Sequence, residues 1–328
     1  MTMARTIYAI MADVKNYGQI PAWDAYTSSP IFRVNSMIFQ LYEVAITIVV
    51  GEVASAIKIS TATQVVMSAT FMYFFAYSQS RNRFASLISS IIYPLVPYAL
   101  FEGMGLGHST IAWGYVFIPL AMHGWHNHEE GLRKFLMSTV SLSLIVLSNP
   151  QNLLTILPFI FVYAFLERLL HGTLGLRSFC WLLAPFVLSF AVSGYWLIPT
   201  YAERMLLYMP FWSGRETAIR EWSVPLPLIF GLVAKAQFQS FQLLNFFDTL
   251  LLLVAISLTI ALFVERSSRT LILLLTALIS VAYSAGTFLP IFELTIEKFP
   301  FFSMRFPERF LAIPAFVFSY LIGAEMNN

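Results

Sequence analysis

Long apolar runs with few charged residues are the feature that most constrains how this chain can fold. A bilayer core about 30 Å thick is crossed by roughly 20 apolar residues in a helix, so such runs predict about eight to ten transmembrane helices. The candidate spans are residues 37–57, 62–79, 84–101, 109–123, 135–148, 152–169, 179–199, 245–264, 269–289 and 307–324. The short spans 109–123 and 135–148 are compatible with half-membrane pieces, and 224–234 is compatible with a re-entrant one.

The composition supports a polytopic membrane protein of the all-α class. Only 11% of the residues are charged and 58% are hydrophobic, whereas about 25% of residues are charged in an ordinary soluble domain. Because lipid offers the backbone no hydrogen-bond partners, a spanning segment must be a helix or part of a closed barrel, and no barrel-like alternation is present. We expect one domain over residues 1–328, with an external loop at 1–36, helical bundles at 37–200 and 224–328, and a polar loop at 201–223.

The charge balance argues against nucleic-acid binding, and the cysteine usage excludes an intramolecular disulfide. A net charge of +2, carried by basic residues scattered between apolar runs, forms no basic stripe for binding nucleic acid. Cys180 is the single cysteine, which excludes an intramolecular disulfide, and its apolar surroundings predict a packing role.

Basic residues between the predicted spans bear on orientation. They are Arg81 and Arg83, Arg133 and Lys134, Arg168 and Arg177, and Arg266 and Arg269. The positive-inside rule assigns such connections to the cytoplasm. With strict alternation of spans, this assignment conflicts with an N-terminal loop on the external side. The sequence therefore predicts the number of helices better than their direction.

The polar segment Asp13–Asn35 near the N-terminus is the first candidate site. Its prolines and its glycine favour an ordered loop over a spanning helix. Asp13 and Asp24 can act as a general base or hold a divalent cation, or they are solvated loop residues. Trp23 and Tyr26 can stack on a sugar, or they anchor the loop at the membrane surface.

Carboxylates within the first apolar span are a second candidate. Glu43 and Glu52 are predicted to be buried there, and acids inside a membrane usually face the bundle interior or a water-filled cavity. The alternative is an interfacial helix that never enters the hydrocarbon.

A glycine-rich segment runs from Glu102 to His108 and precedes a predicted helix at Ser109. Its glycines permit close backbone approach, and the positive end of the helix would point toward a group beside His108. The segment lacks the signature of a phosphate-binding loop, so a plain turn between helices is the alternative.

A histidine cluster invites a metal site. It consists of His123, His126 and His128, followed by Glu129 and Glu130. The spacing matches no standard zinc template, and basic residues follow directly, so a solvated loop is the favoured interpretation. No metal site is predicted here, and the use of a divalent cation elsewhere in the chain stays open.

Two later segments combine arginines with aromatic residues. They are Tyr201–Trp222, with Glu203, Arg215 and Arg220, and Phe299–Leu311, with Arg305 and Arg309. Arginine binds phosphate through paired N–H donors, and aromatic faces stack on sugars. The alternatives are an amphipathic helix on the headgroups for the first segment and arginine snorkelling for the second.

The order of several motifs resembles a known family. The motifs are QIPAWDAY at 19–26, RNRFASLISSIIYPLVPYAL at 81–100, GLGHSTIAWGYVFIPLAM at 105–122, SNPQN at 148–152, SGYWLIPTYAE at 193–203 and MRFPERFLAIPA at 304–315. Together they resemble the polytopic GT-C glycosyltransferase-like proteins, over residues from about 18 to 323. The nearest groups are the YfhO-like proteins and the membrane family labelled "6-pyruvoyl-tetrahydropterin synthase related". That label does not imply a soluble pterin synthase.

The resemblance implies a sugar donor linked to polyprenyl phosphate, an active site on the external face, and a catalytic acid in the first external loop. The matching positions are Trp23, the upstream acid Asp13, the Gly-His pair at His108, the acid Glu203 after a proline segment, and Arg305 and Arg309 in an Arg-x-Pro-x-Arg pattern. Relatives usually have a helix before that loop, whereas this chain begins almost inside it. The resemblance therefore also implies a shortened or split member that needs a partner chain to supply the missing helix.

Two hypotheses of different classes follow. In the first, Asp13 or Asp24 deprotonates the acceptor or positions a metal, and arginines stabilise the departing phosphate. The substrate-binding residues would be Trp23, Tyr26, His108, Glu203, Arg215, Arg220, Arg305 and Arg309. In the second, the chain is a non-catalytic transporter or lipid-handling scaffold whose cavity is lined by Glu43, Glu52 and Glu102. Membrane lipids are expected partners in both cases, and nucleic acid in neither.

Overall fold

The computed structural model describes residues 37–96, 109–125, 131–149, 151–206, 268–284 and 307–325, with a few single residues and short pieces elsewhere. Every regular element in these ranges is helical, so the predicted all-α class is confirmed for them. The predicted span 245–264 lies outside the described residues.

The helices are numbered here in chain order. They are α1 Met37–Val50, α2 Val53–Ser80, α3 Arg83–Leu95, α4 Ser109–Val116, α5 Ile118–Gly124, α6 Leu132–Ser148, α7 Asn152–Thr155, α8 Leu157–Leu170, α9 Leu176–Leu206, α10 Ser268–Ser284 and α11 Ala312–Glu325, with a 3-10 helix, Pro307–Leu311, leading into α11. Among the described residues, three segments are long and apolar enough to cross a membrane: Val53–Ser80, Asn152–Leu170 and Leu176–Tyr195. Their length and composition support association with a membrane.

The boundary between the first two predicted spans is wrong. α1 ends at Val50, before a turn at Gly51, whose φ of +79° is readily adopted only by glycine. No break occurs between residues 57 and 62, where the predicted spans left a gap. Thr61 remains helical there, and its hydroxyl donates to the carbonyl of Ile57 at 3.0 Å.

Prolines account for two further breaks. The predicted span 109–123 divides into α4 and α5, and Pro119 stands in the first turn of α5. The predicted span 152–169 divides at Ile156, and Pro158 stands in the first turn of α8. A proline is tolerated at the start of a helix, where its missing N–H costs nothing, but it disrupts a continuous helix.

The long helix α9 differs from expectation in two respects. It continues to Leu206, past residue 200, where the polar loop was expected to begin. Cys180, on its second turn, is exposed, so the prediction of a packing role is wrong. An apolar sequence context marks a face toward lipid as readily as a face toward the core.

Aromatic side chains from four helices form the centre of the core. Tyr93 of α3 and Tyr115 of α4 stack with ring centroids 4.2 Å apart. Each hydroxyl donates to the other residue's carbonyl, at 2.6 Å from Tyr93 and 3.2 Å from Tyr115. Phe316 of α11 lies edge-on to Tyr93 and also contacts Phe75 of α2. These buried rings join α2, α3, α4 and α11.

The helices run either toward or away from one side of the bundle, which gives the bundle two ends. α2, α5 and α8 finish at one end, where His123 Nδ1 lies 3.0 Å from Ser78 Oγ. α10 begins at the same end, where Arg269 pairs with Glu167. We call it the basic end, because it carries Arg81, Arg83, Arg133, Lys134, Arg168, Arg177 and Arg269.

The opposite end is formed by turns and by the start of the last helical segment. Its members are Gly51, the segment Ser148–Asn152, the last turn of α10 and the 3-10 helix Pro307–Leu311. Ser280 Oγ donates to the carbonyl of Phe310 at 2.6 Å and joins two of these pieces. We refer to this group of residues as the opposite end.

Candidate functional site

The basic connections predicted from the sequence meet at one end of the bundle. Arg81, Arg83 and Arg133 are exposed there. Arg81 and Arg83 flank the turn between α2 and α3, and Arg133 lies in the first turn of α6. Arg266 lies outside the described residues. The structure therefore places the described members of all four basic connections on a single side.

A buried ion pair joins α8 to α10 at the basic end. Glu167 Oε1 lies 3.4 Å from Arg269 Nε, and the side chain of Glu167 is 1% exposed against 32% for Arg269. The neighbouring Arg168 is also buried, and its Nη1 donates to the carbonyl of Ser178 at 2.6 Å and contacts the Ser178 hydroxyl. Because a buried charge is costly unless it is paired, these contacts hold α8 against the starts of α9 and α10.

A tyrosine hydroxyl lies one helical turn before this pair. Tyr163 is 0% exposed, and its hydroxyl has no hydrogen-bond partner among the described residues. Its ring interacts electrostatically with Glu167, Arg269 and Tyr320. A buried hydroxyl without a partner costs about 1–3 kcal/mol. Tyr163 and Glu167 thus form a polar cluster inside a candidate membrane helix, the kind of position that often marks function.

At the opposite end, Arg309 is held inside the bundle. It is 5% exposed and lies in the 3-10 helix that precedes α11. The next residue, Phe310, packs against Phe159 of α8 and Tyr283 of α10, with ring centroids 5.9 and 5.2 Å away. Snorkelling would leave the guanidinium group exposed, so the burial of Arg309 favours an interior role.

The SNPQN motif closes the end of α6. Asn152 Nδ2 donates to the carbonyl of Ile145 at 3.1 Å and to Ser148 Oγ at 2.8 Å. Gly114 of α4 packs directly on this amide, since a Cβ atom at Gly114 would overlap Asn152 Nδ2. The motif satisfies carbonyls at the helix terminus, so its asparagine has a structural role.

The predicted intramembrane acids differ from each other. Glu43 is 1% exposed, and its Oε1 accepts a hydrogen bond of 3.1 Å from Ser60 Oγ on α2. The prediction of burial is confirmed for Glu43 and is wrong for Glu52, which is exposed and accepts from the hydroxyl of Ser55. The reason is the turn at Gly51, which moves Glu52 from the first helix to the start of the next. Glu102 lies outside the described residues.

Two of the predicted site residues, Arg309 and Glu203, belong to elements that reach the opposite end. Arg309 is buried there, and Glu203 lies near the C-terminus of α9, which runs toward that end. Ser109, directly after His108 in sequence, begins α4 at the same end. The other predicted site residues, namely Asp13, Trp23, Asp24, Tyr26, Arg215, Arg220 and Arg305, lie outside the described residues, as does His108.

The direction of α1 bears on the N-terminal segment. Tyr42 donates to Thr63 Oγ1 at 2.9 Å and Ser60 bonds Glu43, so α1 runs antiparallel to α2. The start of α1 at Met37 therefore points toward the basic end. Met11, one of the few described residues before α1, packs against Val44 and Val53, which flank the turn at Gly51 at the opposite end.

The described residues contain no group of three histidine, cysteine or acidic side chains able to hold a metal ion. His123 instead pairs with Ser78, and burial, followed by the charges of Lys134 and Arg133, lowers the pKa of its imidazole below 6.5. His126, His128, Glu129 and Glu130 lie outside the described residues.

Glu167, Arg168 and Tyr163 were not anticipated as a group from the sequence. A signal was present, because Glu167 and Arg168 interrupt an otherwise apolar run within the predicted span 152–169. Ionisable residues in such a run are functional candidates by default. Their partners Ser178 and Arg269 are distant in sequence, so only the packing of α9 and α10 on α8 brings them together.

The resemblance drawn from the motif order stays a prediction. The described residues form a helical bundle with Arg309 buried, and neither observation tests the resemblance. These points do not distinguish one family of helical membrane proteins from another. The chain matches no protein-family model, no curated protein and no solved structure.

Proposed function

We propose that this chain is a multi-pass membrane glycosyltransferase of the GT-C type, which transfers a sugar from a polyprenyl-phosphate donor to an acceptor hydroxyl. The observation that carries the proposal is the buried guanidinium group of Arg309 at the opposite end. The helix bearing Glu203 and the helix that follows His108 reach the same end. Such a reaction uses a cation at the phosphate and an acid or imidazole near the acceptor, and Arg309, Glu203 and His108 are the candidates for these groups.

The chemistry assigns a role to each group. The acceptor oxygen forms a bond to the anomeric carbon of the sugar, the bond from that carbon to the phosphate oxygen breaks, and the phosphate leaves with the electron pair. Arg309 stabilises the leaving phosphate through charge-assisted N–H donors. A carboxylate accepts the acceptor proton. Glu203 is the candidate on the same side as Arg309, and Asp13 and Asp24 are the candidates from the family resemblance.

In this proposal the chain has about eight to ten transmembrane helices in a cell membrane. Three of these helices are supported by their length and composition. The proposed reaction either needs a divalent cation at the phosphate or proceeds without one. Addition of a chelator to the assay described below distinguishes these two cases, because only the metal-dependent reaction would stop.

The arginine is tested by sugar transfer in detergent. Purified protein is incubated with a panel of radiolabelled polyprenyl-phosphate sugars and an acceptor extract, and Arg309→Lys and Arg309→Gln are compared with Lys58→Gln. Lys58 is an exposed cation that belongs to none of the predicted sites, so Lys58→Gln serves as a control. We expect Arg309→Gln to lose about 10²-fold or more in rate, as for other lost transition-state donors, and Arg309→Lys to retain part of it.

Folding must be checked in parallel, because Arg309 is buried. Each variant is assayed only if its elution profile and its thermal midpoint resemble those of the wild type. Transfer at the wild-type rate by a folded Arg309→Gln variant would remove the observation on which the proposal rests. Absence of transfer by wild-type protein with every donor would reject the proposal itself.

The catalytic acid is identified by a second series, Asp13→Asn, Asp24→Asn and Glu203→Gln. These changes remove the base but keep nearly the same shape. Loss of transfer in Glu203→Gln alone would assign the base to the end of α9. Loss in Asp13→Asn or Asp24→Asn alone would assign it to the N-terminal loop, as the resemblance implies.

A second candidate function, a transporter or lipid-handling scaffold, is favoured by the burial of Glu43. Its carboxylate lies inside the bundle against Ser60, as expected of an acid on a transport route. The exposed Glu52 provides a matched control on the same connection. In proteoliposomes, this function predicts that Glu43→Gln stops movement of lipid or solute across the bilayer while Glu52→Gln does not. Equal effects of the two changes would exclude a special role for Glu43.

A further inference from the structure

Three exposed arginines form one patch at the basic end. Arg81 and Arg83 flank the turn from α2 to α3, and Arg133 begins α6. The two regions are neighbours, because His123 at the end of α5 contacts Ser78 at the end of α2 and also interacts with the charge of Arg133. We call Arg81, Arg83 and Arg133 the arginine patch.

The turn that carries two of these arginines is well defined. Arg81 has a φ of +55° and its N–H donates to the carbonyl of Tyr77. Asn82 then caps α3, since its Oδ1 accepts from the N–H of Phe84 at 2.8 Å and of Ala85 at 3.2 Å. The turn is therefore preorganised, and less entropy is lost when the arginines bind a ligand.

The opposite end has no comparable surface among the residues whose side chains are described. Lys58 is exposed there, but the nearby Glu52 is exposed as well, and Arg309 is buried. At the basic end the described acid, Glu167, is already paired with Arg269. Glu129 and Glu130 precede α6 in the sequence, but acids contribute little to the positive-inside rule.

We infer that the arginine patch binds the phosphate groups of anionic phospholipids in the cytoplasmic leaflet, and that the basic end is the cytoplasmic face of the protein. Three features of the patch agree: its charge, its exposure and its place at the end of the membrane-length helix α2. Guanidinium groups bind phosphate through paired N–H donors. The inference does not depend on sugar transfer, and it puts the opposite end with Arg309 on the external face.

Orientation is tested by labelling single cysteines in vesicles. In a Cys180→Ser background, Arg83→Cys and Lys58→Cys are exposed to a membrane-impermeant maleimide in right-side-out and in inside-out vesicles. We expect Arg83→Cys to react only in inside-out vesicles and Lys58→Cys only in right-side-out ones. The reverse pattern would overturn the assignment of the basic end to the cytoplasm. Asp24→Cys in the same background reports the side of the N-terminal loop.

Lipid binding is tested by thermal unfolding in vesicles of phosphatidylcholine, with and without phosphatidylglycerol. We expect the wild type to unfold at a higher temperature in the anionic vesicles, and the triple variant Arg81→Gln, Arg83→Gln, Arg133→Gln to lose most of that shift. The matched triple lysine variant keeps the charges and should retain most of it. High salt should reduce the shift of the wild type. An unchanged shift in the triple glutamine variant would reject the binding of anionic lipid.

The two tests are independent of sugar transfer. In neutral detergent, the triple glutamine variant should transfer sugar at the wild-type rate if the glycosyltransferase proposal is right, since the patch lies at the end away from Arg309. Failure of the lipid test with transfer intact would reject the inference alone. Failure of transfer with the lipid test intact would reject the proposed function alone.

Discussion

The two ends of the bundle differ in their charged groups. The basic end combines exposed arginines with a buried ion pair, Glu167–Arg269, that joins α8 to α10. The opposite end contains a buried arginine, Arg309, and a close contact between Gly114 and the side-chain amide of Asn152. Close contact through glycine occurs at both ends, because Gly323 of α11 approaches Ser89 and the carbonyl of Ala85 near the start of α3.

This difference indicates which end tolerates change. Exposed cations at a membrane surface contribute little to internal packing, so they can be altered without loss of the fold. A helix crossing made through glycine has no spare volume, so a single methyl group disturbs it. We therefore expect the ion pair and the glycine contacts to be the sensitive points, and the arginine patch to be the tolerant one.

The largest effect is expected from breaking the ion pair at the basic end. Arg269→Met removes the salt-bridge partner of the buried Glu167 carboxylate. We expect a loss of about 3 kcal/mol of stability, at the low end for buried pairs because Arg269 is partly exposed. Thermal unfolding in detergent measures the change, and Arg177→Met, an exposed arginine at the same end, is the control.

The double variant Glu167→Leu, Arg269→Met sharpens this prediction. Removing both charges avoids a buried carboxylate without its partner, so the double variant should be more stable than Arg269→Met alone. If the loss of stability in the double variant equals the sum of the losses in Glu167→Leu and Arg269→Met, the two side chains have no coupling energy. In that case the basic end would depend on apolar packing, as the opposite end does.

A smaller effect is expected from a methyl group at the opposite end. Gly114→Ala introduces a Cβ that overlaps Asn152 Nδ2 and lies 2.7 Å from Ser148 Oγ. Side chains can shift by part of that distance, so we expect about 1–3 kcal/mol of destabilisation. Gly131→Ala at the basic end is the matched control, because nothing lies within 4 Å of its Cβ position. Equal thermal midpoints for the two variants would show that the opposite end is not tightly packed.

The smallest effect is expected from titration of His123. Its pKa is lowered by burial and then by Lys134 and Arg133, so the folded state favours the neutral imidazole and the unfolded state binds the proton more readily. This contribution to stability is fully present above the ordinary pKa of 6.5 and is lost as the pH falls through it. His123→Gln should therefore flatten the dependence of the thermal midpoint on pH between about 7.5 and 5.5. An unchanged dependence in His123→Gln would contradict the prediction.

The sequence predicts the helical class and most of the described helices, but not their breaks. Residues 135–148, 179–199 and 307–324 all fall within observed helical segments. The error at Gly51 arose because a glycine in a long apolar run is compatible with a continuous helix, and only its backbone conformation reveals the turn. The predicted spans left a gap between residues 57 and 62, although hydroxyl groups such as that of Thr61 bond to the preceding turn and stay helical.

The candidate site was predicted less completely. The Arg-x-Pro-x-Arg pattern predicted a site role for Arg309, which stays a prediction, and only the packing of Phe310 against α8 and α10 reveals that Arg309 is interior. Glu43 and Glu52 have equal sequence context, yet a turn between them leaves one buried and one exposed. Burial depends on which helix face meets a neighbour, and local sequence does not contain that information.

By itself, the sequence determined that the chain is helical and apolar enough for a membrane, because the backbone in lipid must satisfy its own hydrogen bonds and long apolar runs permit this only in helices. It also determined the positions of the basic connections. Only the tertiary structure decided that these connections lie on one side, that Glu167 meets Arg269, and that Arg309 is enclosed at the other end. The physical reason is that each of these facts depends on the direction and packing of helices that are far apart in the chain.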